Sequence, residues 1–293
     1  MVVLPQGFWP SIADFLFARF PALSQAEWTA RIEAGEVVEE TGQTVGLRSR
    51  YKPGLRVYYY RSLAAEERIP FEETIVFQDD HLVVVDKPHF LPVTPGGRYV
   101  QETLMVRLKR RLGIATLNPI HRIDRETAGL VVFAVRPETR SAYHALFAER
   151  RVTKTYEAIA PFRTELTLPC KYQSRLEDSD HFMRMQEVAG EPNSLTRIEL
   201  IACEEEFGHY RLSPVSGKRH QLRVHLAALG LPICFDRIYP ELLPENTDDY
   251  ARPLQLLARS IEFEDPVTGE PRRFESGRSL LGLEAVQALS RAA

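Results

Sequence analysis

The chain of 293 residues has little cysteine and no long apolar segment. Its three cysteines, Cys170, Cys203 and Cys234, are far apart and lack metal-ligand spacing, which argues against a disulfide framework or a cysteine-bound metal. No stretch reaches the roughly 20 apolar residues that a transmembrane helix needs. The opening MVVLPQGFWP has no basic segment, and its apolar run is too short for a signal peptide. We therefore expect a cytoplasmic protein with reduced thiols and no membrane partner.

The chain also lacks an excess of positive charge. Its formal net charge is -3, whereas nucleic-acid-binding domains are usually basic, so any RNA-binding surface must be a local patch. No glycine-rich nucleotide fingerprint is present. A hydrophobic fraction of 44% and a charged fraction of 26% are typical of a globular protein, and the length fits one large or two small domains.

The most informative stretch is HRIDRETAGLVVFAV, which runs from His121 to Val135. The continuous apolar run from Leu130 to Val135 predicts a strand covered on both faces. Gly129 stands where the backbone bends sharply or approaches another segment. Asp124 lies between two arginines just before this strand. On the residues alone, both a salt-bridged turn and a functional carboxylate held by a rigid strand remain possible.

Three other stretches stand out. The first is DKPHFLPVTPGG, which begins at Asp86, and the second is VTKTYEA, which begins at Val152. The third is SGKRHQLRVHLAALGLPI, for which we predict a helix from about Arg219 that stops at Gly230. Arg219 and Arg223 are four positions apart, so this prediction places them on one helix face.

Together these stretches resemble the motifs of the RluA-type pseudouridine synthases. HRIDRETAGL matches HRLD-x-x-T-(S/A)-G-L, VTKTYEA matches V-x-K-x-Y-x-A, and the third stretch matches TGR-x-HQ(I/L)RVH-x-x-x-x-G-x-PI. DKPHFLPVT keeps the Asp-Lys-Pro of (N/D)KP-x-G-x-x-x-H, with Phe90 and Thr94 in place of the usual Gly and His. The resemblance covers about two thirds of the chain, roughly Ile75 to Pro271.

The resemblance implies an isomerase that converts uridine to pseudouridine in a structured RNA. The uracil is detached from C1′, turned over and rejoined through C5, so neither a metal nor an organic cofactor is needed. By resemblance, Asp124 is the catalytic carboxylate, Arg223 keeps it ionised and Tyr156 stacks on the extracted base. Arg122 fills the gap left in the stack. The resemblance further implies substrate contacts by the neighbouring motif residues His121, Arg125, Thr127, Lys154, Arg219 and His220.

The fold implied is α+β, a mixed and largely antiparallel bent sheet with flanking helices. We expect residues 1–61 to form a small helix and strand module, 62–73 a linker and 74–293 the catalytic domain. The module resembles a ribosomal-protein-type RNA-binding domain: Ser24 and Glu27 form a capping box for a helix that Gly35 ends, and short strands surround Pro53-Gly54. Its basic residues form a candidate RNA patch, with a solvated surface as the alternative: Arg31, Arg48, Arg50, Lys52 and Arg56.

Elsewhere we predict strands at 74–77, 82–85, 195–202 and 209–212, and helices at 101–112, 137–150 and 281–293. The basic face of the 101–112 helix is either solvated or in contact with phosphate. Residues 163–193 are polar, and we predict an irregular segment without chemistry there.

Several alternatives remain open at this point. The substrate is large-subunit ribosomal RNA or, alternatively, tRNA. Thr94, Phe235 and Leu257 depart from the family pattern, so a second alternative is an inactive RNA-binding homologue. A third is a metal-dependent phosphoesterase built on Asp79, Asp80, His121 and Asp124. We expect a monomer without a bound metal.

Overall fold

The computed structural model describes residues 1–20, 23–59, 66–244 and 248–291. The chain divides into two units, Met1–Ala65 and Glu66–Ala293. Residues 66–73, which we predicted to be linker, belong to the second unit: Ile69 is buried, and the Glu66 carboxylate accepts the backbone N–H groups of Val100, Gln101 and Glu102. Residues 62–65 of the predicted linker lie outside the described residues.

The first unit contains two helices and a three-stranded antiparallel sheet of order β1-β3-β2. Ser24 and Glu27 form the predicted capping box, because the Ser24 side chain accepts the Glu27 N–H while the Glu27 carboxylate accepts the Ser24 N–H. Trp28, from the helix that follows, is fully buried in the core of this unit. The elements are β1 (Val2–Val3), α1 (Ile12–Arg19), α2 (Gln25–Glu33), β2 (Val37–Glu39) and β3 (Arg56–Tyr59).

The second unit is organised by an eleven-stranded mixed sheet. Along its main path the order is β10-β9-β11-β12-β8-β13-β7-β5-β4, with β14 paired to β13 and β6 paired to β7. Every pair is antiparallel except β13 with β7. The strands are β4 (Thr74–Gln78), β5 (Leu82–Lys87), β6 (Asn118–Pro119), β7 (Ala128–Ala134), β8 (Thr153–Pro161), β9 (Cys170–Asp178), β10 (Met185–Val188), β11 (Ser194–Glu204), β12 (Phe207–Pro214), β13 (Leu256–Glu264) and β14 (Pro271–Glu275).

Four helices flank this sheet, at or near the predicted positions. They are α3 (Leu104–Leu112), α4 (Pro137–Ala148), α5 (Gln221–Ala228) and α6 (Leu283–Arg291). Residues 292–293 of the predicted last helix lie outside the described part of the chain. The expected α+β class, a mixed and mostly antiparallel sheet with flanking helices, is confirmed.

The strands β5 and β7 lie at the centre of the core, and every residue of both is buried. Side chains alternate between sheet faces, so Val131 and Phe133 pack with α3 on one face while Leu130 and Val132 pack with α4 on the other. This double coverage explains why the Leu130–Val135 run is continuously apolar. Its consequence for the site is that the start of β7 is rigidly held.

The prediction of an irregular segment at 163–193 is wrong. Strands β9 and β10 form an antiparallel hairpin there, and β9 also pairs with β11. Tyr172, Ser174 and Leu176 alternate with more exposed polar residues, which is the two-residue period of a half-buried strand. The pattern was missed because only a few of the inward side chains are strongly apolar.

Candidate active site

Asp124 lies in the turn that precedes β7. The Asp124 backbone carbonyl accepts the Thr127 N–H at 3.2 Å, and β7 begins one residue later. Gly129 pairs with Ala258 of β13 and has φ +109°. A Cβ at position 129 would lie only 2.3 Å from the Ala258 carbonyl oxygen, so only glycine fits where the strands approach. The predicted close approach at Gly129 is therefore confirmed, and it fixes the backbone five residues after Asp124.

Arg223 connects Asp124 to a second acid. Its Nη1 donates to Asp124 Oδ2 at 3.0 Å, while Nε and Nη2 donate to the two carboxylate oxygens of Asp236 at 2.7 Å each. The side chains of Arg223 and Asp236 are each 1% exposed. A bidentate pair of this kind fixes the plane of the guanidinium, so Asp236 determines where Arg223 meets Asp124.

Asp236 was not among the predicted site residues. Its carboxylate also accepts the backbone N–H groups of Ile238 and Tyr239, so it organises the loop that follows α5. The available signal was an acid placed shortly after the third motif, with no other apparent role.

The surroundings of Asp124 favour its ionised form. Burial alone raises the pKa of a carboxyl group, but the positive charges of protonated His220, Arg223 and Lys87 outweigh it, and the Asp124 pKa lies below its ordinary value. Burial lowers the pKa of His220, so that ring is charged only at acidic pH. At neutral pH, Arg223 is therefore the dominant partner of the Asp124 carboxylate.

His220 lies directly before α5, and its backbone is left-handed with φ 54°. Its Nδ1 is 3.0 Å from the Tyr239 hydroxyl, and its Nε2 is 3.7 Å from Asp124 Oδ1. The helix predicted from about Arg219 begins at Gln221, because the Gln221 side chain accepts the Lys218 N–H and the Ser216 hydroxyl and so holds the preceding residues in a turn. Arg219 and Arg223 consequently do not share a helix face.

Tyr156 lies in β8, where its backbone is in register with Leu212 on one side and Ala258 on the other. Its side chain and Asp124 line the same cleft, which has a volume of about 750 Å³. Burial, and next the charge of Asp124, raise the pKa of the Tyr156 phenol, so it stays neutral at physiological pH. The pair provides an anionic group beside a neutral aromatic ring, at a size that suits a small ligand or one nucleotide.

Three of the other predicted residues line the cleft with side chains in quite different settings. Arg122 is exposed at the rim. Lys154 donates from Nζ to the Ser216 carbonyl at 3.4 Å. The His121 ring accepts the Val132 N–H at Nε2 and stacks on Phe147, and burial lowers its pKa to about 3, so it remains neutral.

Arg125, Thr127 and Arg219 also line the cleft but use their polar groups within the protein. The Arg125 guanidinium pairs with Asp248 and donates to the Tyr99 hydroxyl. Arg219 donates to backbone carbonyls at 182 and 184, and Thr127 is buried. The structure thus brings Asp124, Tyr156, Arg223 and His220 together, and it places these three residues around them.

Lys87 and His89 hold the turn after Asp124 by contacts to its backbone carbonyls. The buried Lys87 ammonium donates to the carbonyls of Pro88 and Arg125 at 2.9 and 3.0 Å, and His89 Nδ1 is 2.6 Å from the Glu126 carbonyl. Burial lowers the pKa of Lys87 to about 7, against the opposing effect of the nearby acids. Lys87 was recognised as a motif residue but not as a support of the turn that contains Asp124.

The metal-dependent alternative lacks its ligand cluster. Asp79 lies in the β4–β5 turn, where it accepts the N–H groups of His81 and Leu82 and pairs with Arg272. Asp124 instead pairs with Arg223. Across residues 1–20, 23–59, 66–244 and 248–291, no group of three or more His, Cys, Asp or Glu side chains is arranged to hold a metal ion.

Comparison with known proteins identifies the family. The family model described as RNA pseudouridylate synthase matches residues 81–228. The dual-specificity RNA pseudouridine synthase RluA of Haemophilus influenzae is 32% identical over 211 residues, which are 69% of this chain and 91% of that protein. The chain belongs to the RluA-type RNA pseudouridine synthases. It is therefore an isomerase that forms pseudouridine in RNA.

Other relatives of this synthase differ in their named substrate. The tRNA pseudouridine synthase C of Vibrio parahaemolyticus is 32% identical over 219 residues, 69% of this chain and 88% of that protein. Among solved structures, human RNA pseudouridylate synthase domain containing 1 has a TM-score of 0.57 at 22% identity, covering 78% of this chain and 98% of that one, and shows the same fold. In the described residues of the synthase, no helix is both long and apolar enough to span a bilayer.

Proposed function

We propose that Asp124 is the catalytic carboxylate of this synthase and acts on the ribose of an extracted uridine. The observation that carries the proposal is the 3.0 Å bond from Arg223 to Asp124 on the wall of a cleft shared with Tyr156. A carboxylate that attacks a sugar carbon or removes a sugar proton must be ionised, and the cationic surroundings of Asp124 keep it so.

The proposed chemistry conserves the atoms of the substrate. The bond between C1′ and N1 breaks, the detached uracil turns, and C1′ is rejoined to C5 while the hydrogen of C5 leaves as a proton and N1 takes up a proton. The free base must remain in the site between the two bond changes. Stacking of its flat face on Tyr156 would hold it there, since aromatic rings bind unstacked bases in a sequence-tolerant way.

The target uridine must first leave its own stack, which costs a few kcal/mol. We propose that Arg122 offsets part of this cost by occupying the vacated space. Its side chain is exposed, forms no ion pair with any described residue and lies two residues from Asp124. A guanidinium is suited to this place because it is planar and stacks on neighbouring bases while keeping its charge.

We propose large-subunit ribosomal RNA as the substrate, on the basis of the resemblance of the N-terminal unit to ribosomal-protein-type RNA-binding domains. In that unit Arg48, Arg50 and Lys52 are exposed and provide a candidate RNA contact, while Arg56 faces Glu40 at 3.8 Å. A tRNA substrate is the second candidate, because the relative from Vibrio parahaemolyticus is named as a tRNA pseudouridine synthase. Pseudouridine mapping in the ribosomal RNA and tRNA of cells with and without the protein distinguishes the two.

The catalytic assignment is tested with RNA carrying tritium at C5 of uridine, since isomerisation releases that hydrogen to water. We expect Asp124→Asn to abolish tritium release while RNA binding survives. Asp80→Asn is the matched control, because Asp80 is 82% exposed in the β4–β5 turn and should keep full activity. Wild-type rates from Asp124→Asn would refute the role of Asp124. An inactive wild-type protein that still bound RNA would instead support the inactive-homologue alternative.

A further inference from the structure

Arg150 occupies a backbone position that normally belongs to glycine. Helix α4 ends in a Schellman arrangement, in which the Arg150 N–H donates to the Phe147 carbonyl and the Arg151 N–H donates to the Leu146 carbonyl. Arg150 has φ 58°, in the left-handed region where a Cβ is unfavourable. Glycine at this position would relieve the strain, so a use of the arginine side chain would have to outweigh its effect on stability.

The surroundings of Arg150 indicate what that use is. Arg150 lines the cleft together with Phe147 and Ala148, so the end of α4 forms part of the cleft wall. Its side chain is exposed and forms no ion pair or hydrogen bond with any residue that the structure describes. The adjacent Arg151 is different, because it pairs with Glu149 at 2.8 Å and does not line the cleft.

Two lysines extend the positive charge along the same wall. Lys154 lies in the strand that follows Arg150, and its bond to the Ser216 carbonyl connects that strand to the turn containing Lys218. Lys218 also lines the cleft, is exposed and has no side-chain partner among the described residues. Three cations line this wall, and no carboxylate of the described residues is bound to them, which suits an anionic backbone rather than a neutral base.

We propose that Arg150 binds a backbone phosphate of the RNA next to the uridine in the cleft. This inference rests on the proposed function, because it takes the cleft at Asp124 as the place where the nucleotide reacts. Arg150 thereby positions the strand and leaves the chemistry to Asp124. The left-handed backbone is then the price of presenting a guanidinium at the cleft mouth from the last turn of a helix.

The decisive variant is Arg150→Gly, since glycine suits φ 58° and removes the side chain without straining the helix end. We expect its Tm to be unchanged or higher than that of the wild type. We expect KM for RNA to rise about 1.4- to 5-fold at 0.15 M salt, which corresponds to the roughly 0.2–1 kcal/mol of one exposed ion pair, with little change in kcat. The slope of the logarithm of the RNA association constant against the logarithm of the salt concentration should become shallower by about 0.7 to 0.9, the value for one phosphate contact.

Arg151→Ala is the matched control, because it removes the same charge one residue away from the cleft. It should leave KM and the salt slope close to those of the wild type, and Arg150→Lys should retain the slope. The probes are tritiated total ribosomal RNA and total tRNA from cells that lack the enzyme. Equal KM and slope for Arg150→Gly and Arg151→Ala would overturn the inference, as would a lower Tm for Arg150→Gly or loss of the slope in Arg150→Lys. Because the salt slope comes from binding alone, it tests Arg150 even if Asp124 proves not to be catalytic.

Discussion

Removal of Asp236 should destabilise the catalytic domain strongly, because it leaves a buried guanidinium short of a partner. The Arg223 side chain is 1% exposed, and two of its three hydrogen bonds to carboxylate oxygens go to Asp236. Breaking a buried ion pair by removing one partner costs about 3–5 kcal/mol. Asp124 remains bound to the same guanidinium in Asp236→Ala, so we expect a loss near the lower limit, about 3 kcal/mol. This corresponds to a fall in Tm of about 6–12 °C for a domain of this size.

A double variant separates stability from catalysis. Arg223→Met with Asp236→Leu removes both buried charges, and apolar replacement of a whole buried pair is often neutral for stability. We therefore expect the double variant to recover most of the free energy of unfolding lost by Asp236→Ala. Its activity should stay low, because Asp124 has lost its charge-assisted hydrogen bond; a loss of about 1.5–3 kcal/mol in the transition state is a 10- to 100-fold lower kcat.

Urea unfolding of the wild type, Arg223→Met, Asp236→Leu and the double variant gives the four free energies of a double-mutant cycle, and tritium release gives the rates. Glu199→Ala is the control for loss of a carboxylate from an exposed pair with Arg211, and we expect it to cost less than about 1 kcal/mol. The reasoning fails if Asp236→Ala unfolds at the wild-type urea concentration. It also fails if the double variant is as unstable as the sum of the two single variants, or if it is fully active.

Three further predictions concern the same domain. Gly129→Ala should lower the free energy of unfolding by about 3 kcal/mol or more, because both backbone strain and the contact with Ala258 oppose a Cβ there. The control is Gly269, which also has a positive φ, +74°, but has open space around it. Gly269→Ala should therefore cost only about 1 kcal/mol in urea unfolding. Tyr156→Phe should keep tritium release within a few-fold of the wild type, because the proposed role is stacking and no described residue hydrogen-bonds the phenol; a rate as low as that of Tyr156→Ala would contradict this. Burial lowers the pKa of His225 to about 4, below the ordinary 6.5, so the unfolded state gains its proton first and stability falls as pH drops from about 6.5 towards 4. His225 alone should remove about 2 kcal/mol between pH 7 and pH 5, and an unfolding free energy that is equal at both pH values would exclude a neutral buried ring.

The local features of the fold were predictable from the sequence. The buried run of β7, the capping box of α2 and the position of Tyr156 in a strand each depend on residues close together in the chain, and the structure has all three. The close approach of Gly129 to β13 was also predictable, because only glycine fits at such a contact. The motif residues Asp124 and Arg223 were predicted to pair, and they do.

The features that were missed depend on residues far apart in the chain or on side-chain hydrogen bonds. The hairpin of β9 and β10 has a polar outer face, and its place in the sheet depends on the pairing of β9 with β11. The start of α5 is set by the Gln221 side chain, which also donates to the Leu195 carbonyl 26 residues away. Asp236 can orient Arg223 only because the folded loop after α5 places the two side chains in contact. Periodicity and local capping rules contain no information on such contacts.

The distribution of ion pairs explains how a chain with net charge -3 acts on RNA. Inside the site, the guanidinium of Arg223 is shared between Asp124 and Asp236, so its charge orients the Asp124 carboxylate and is not available to the solvent. At the cleft mouth, Arg122, Arg150 and Lys218 have no ion-pair partner among the residues described. These three cations provide attraction for phosphate at the rim of the site, on a chain whose net charge is negative. Neutralising rim cations should therefore weaken RNA binding without changing the ionisation of Asp124, whereas loss of Arg223 should do the reverse.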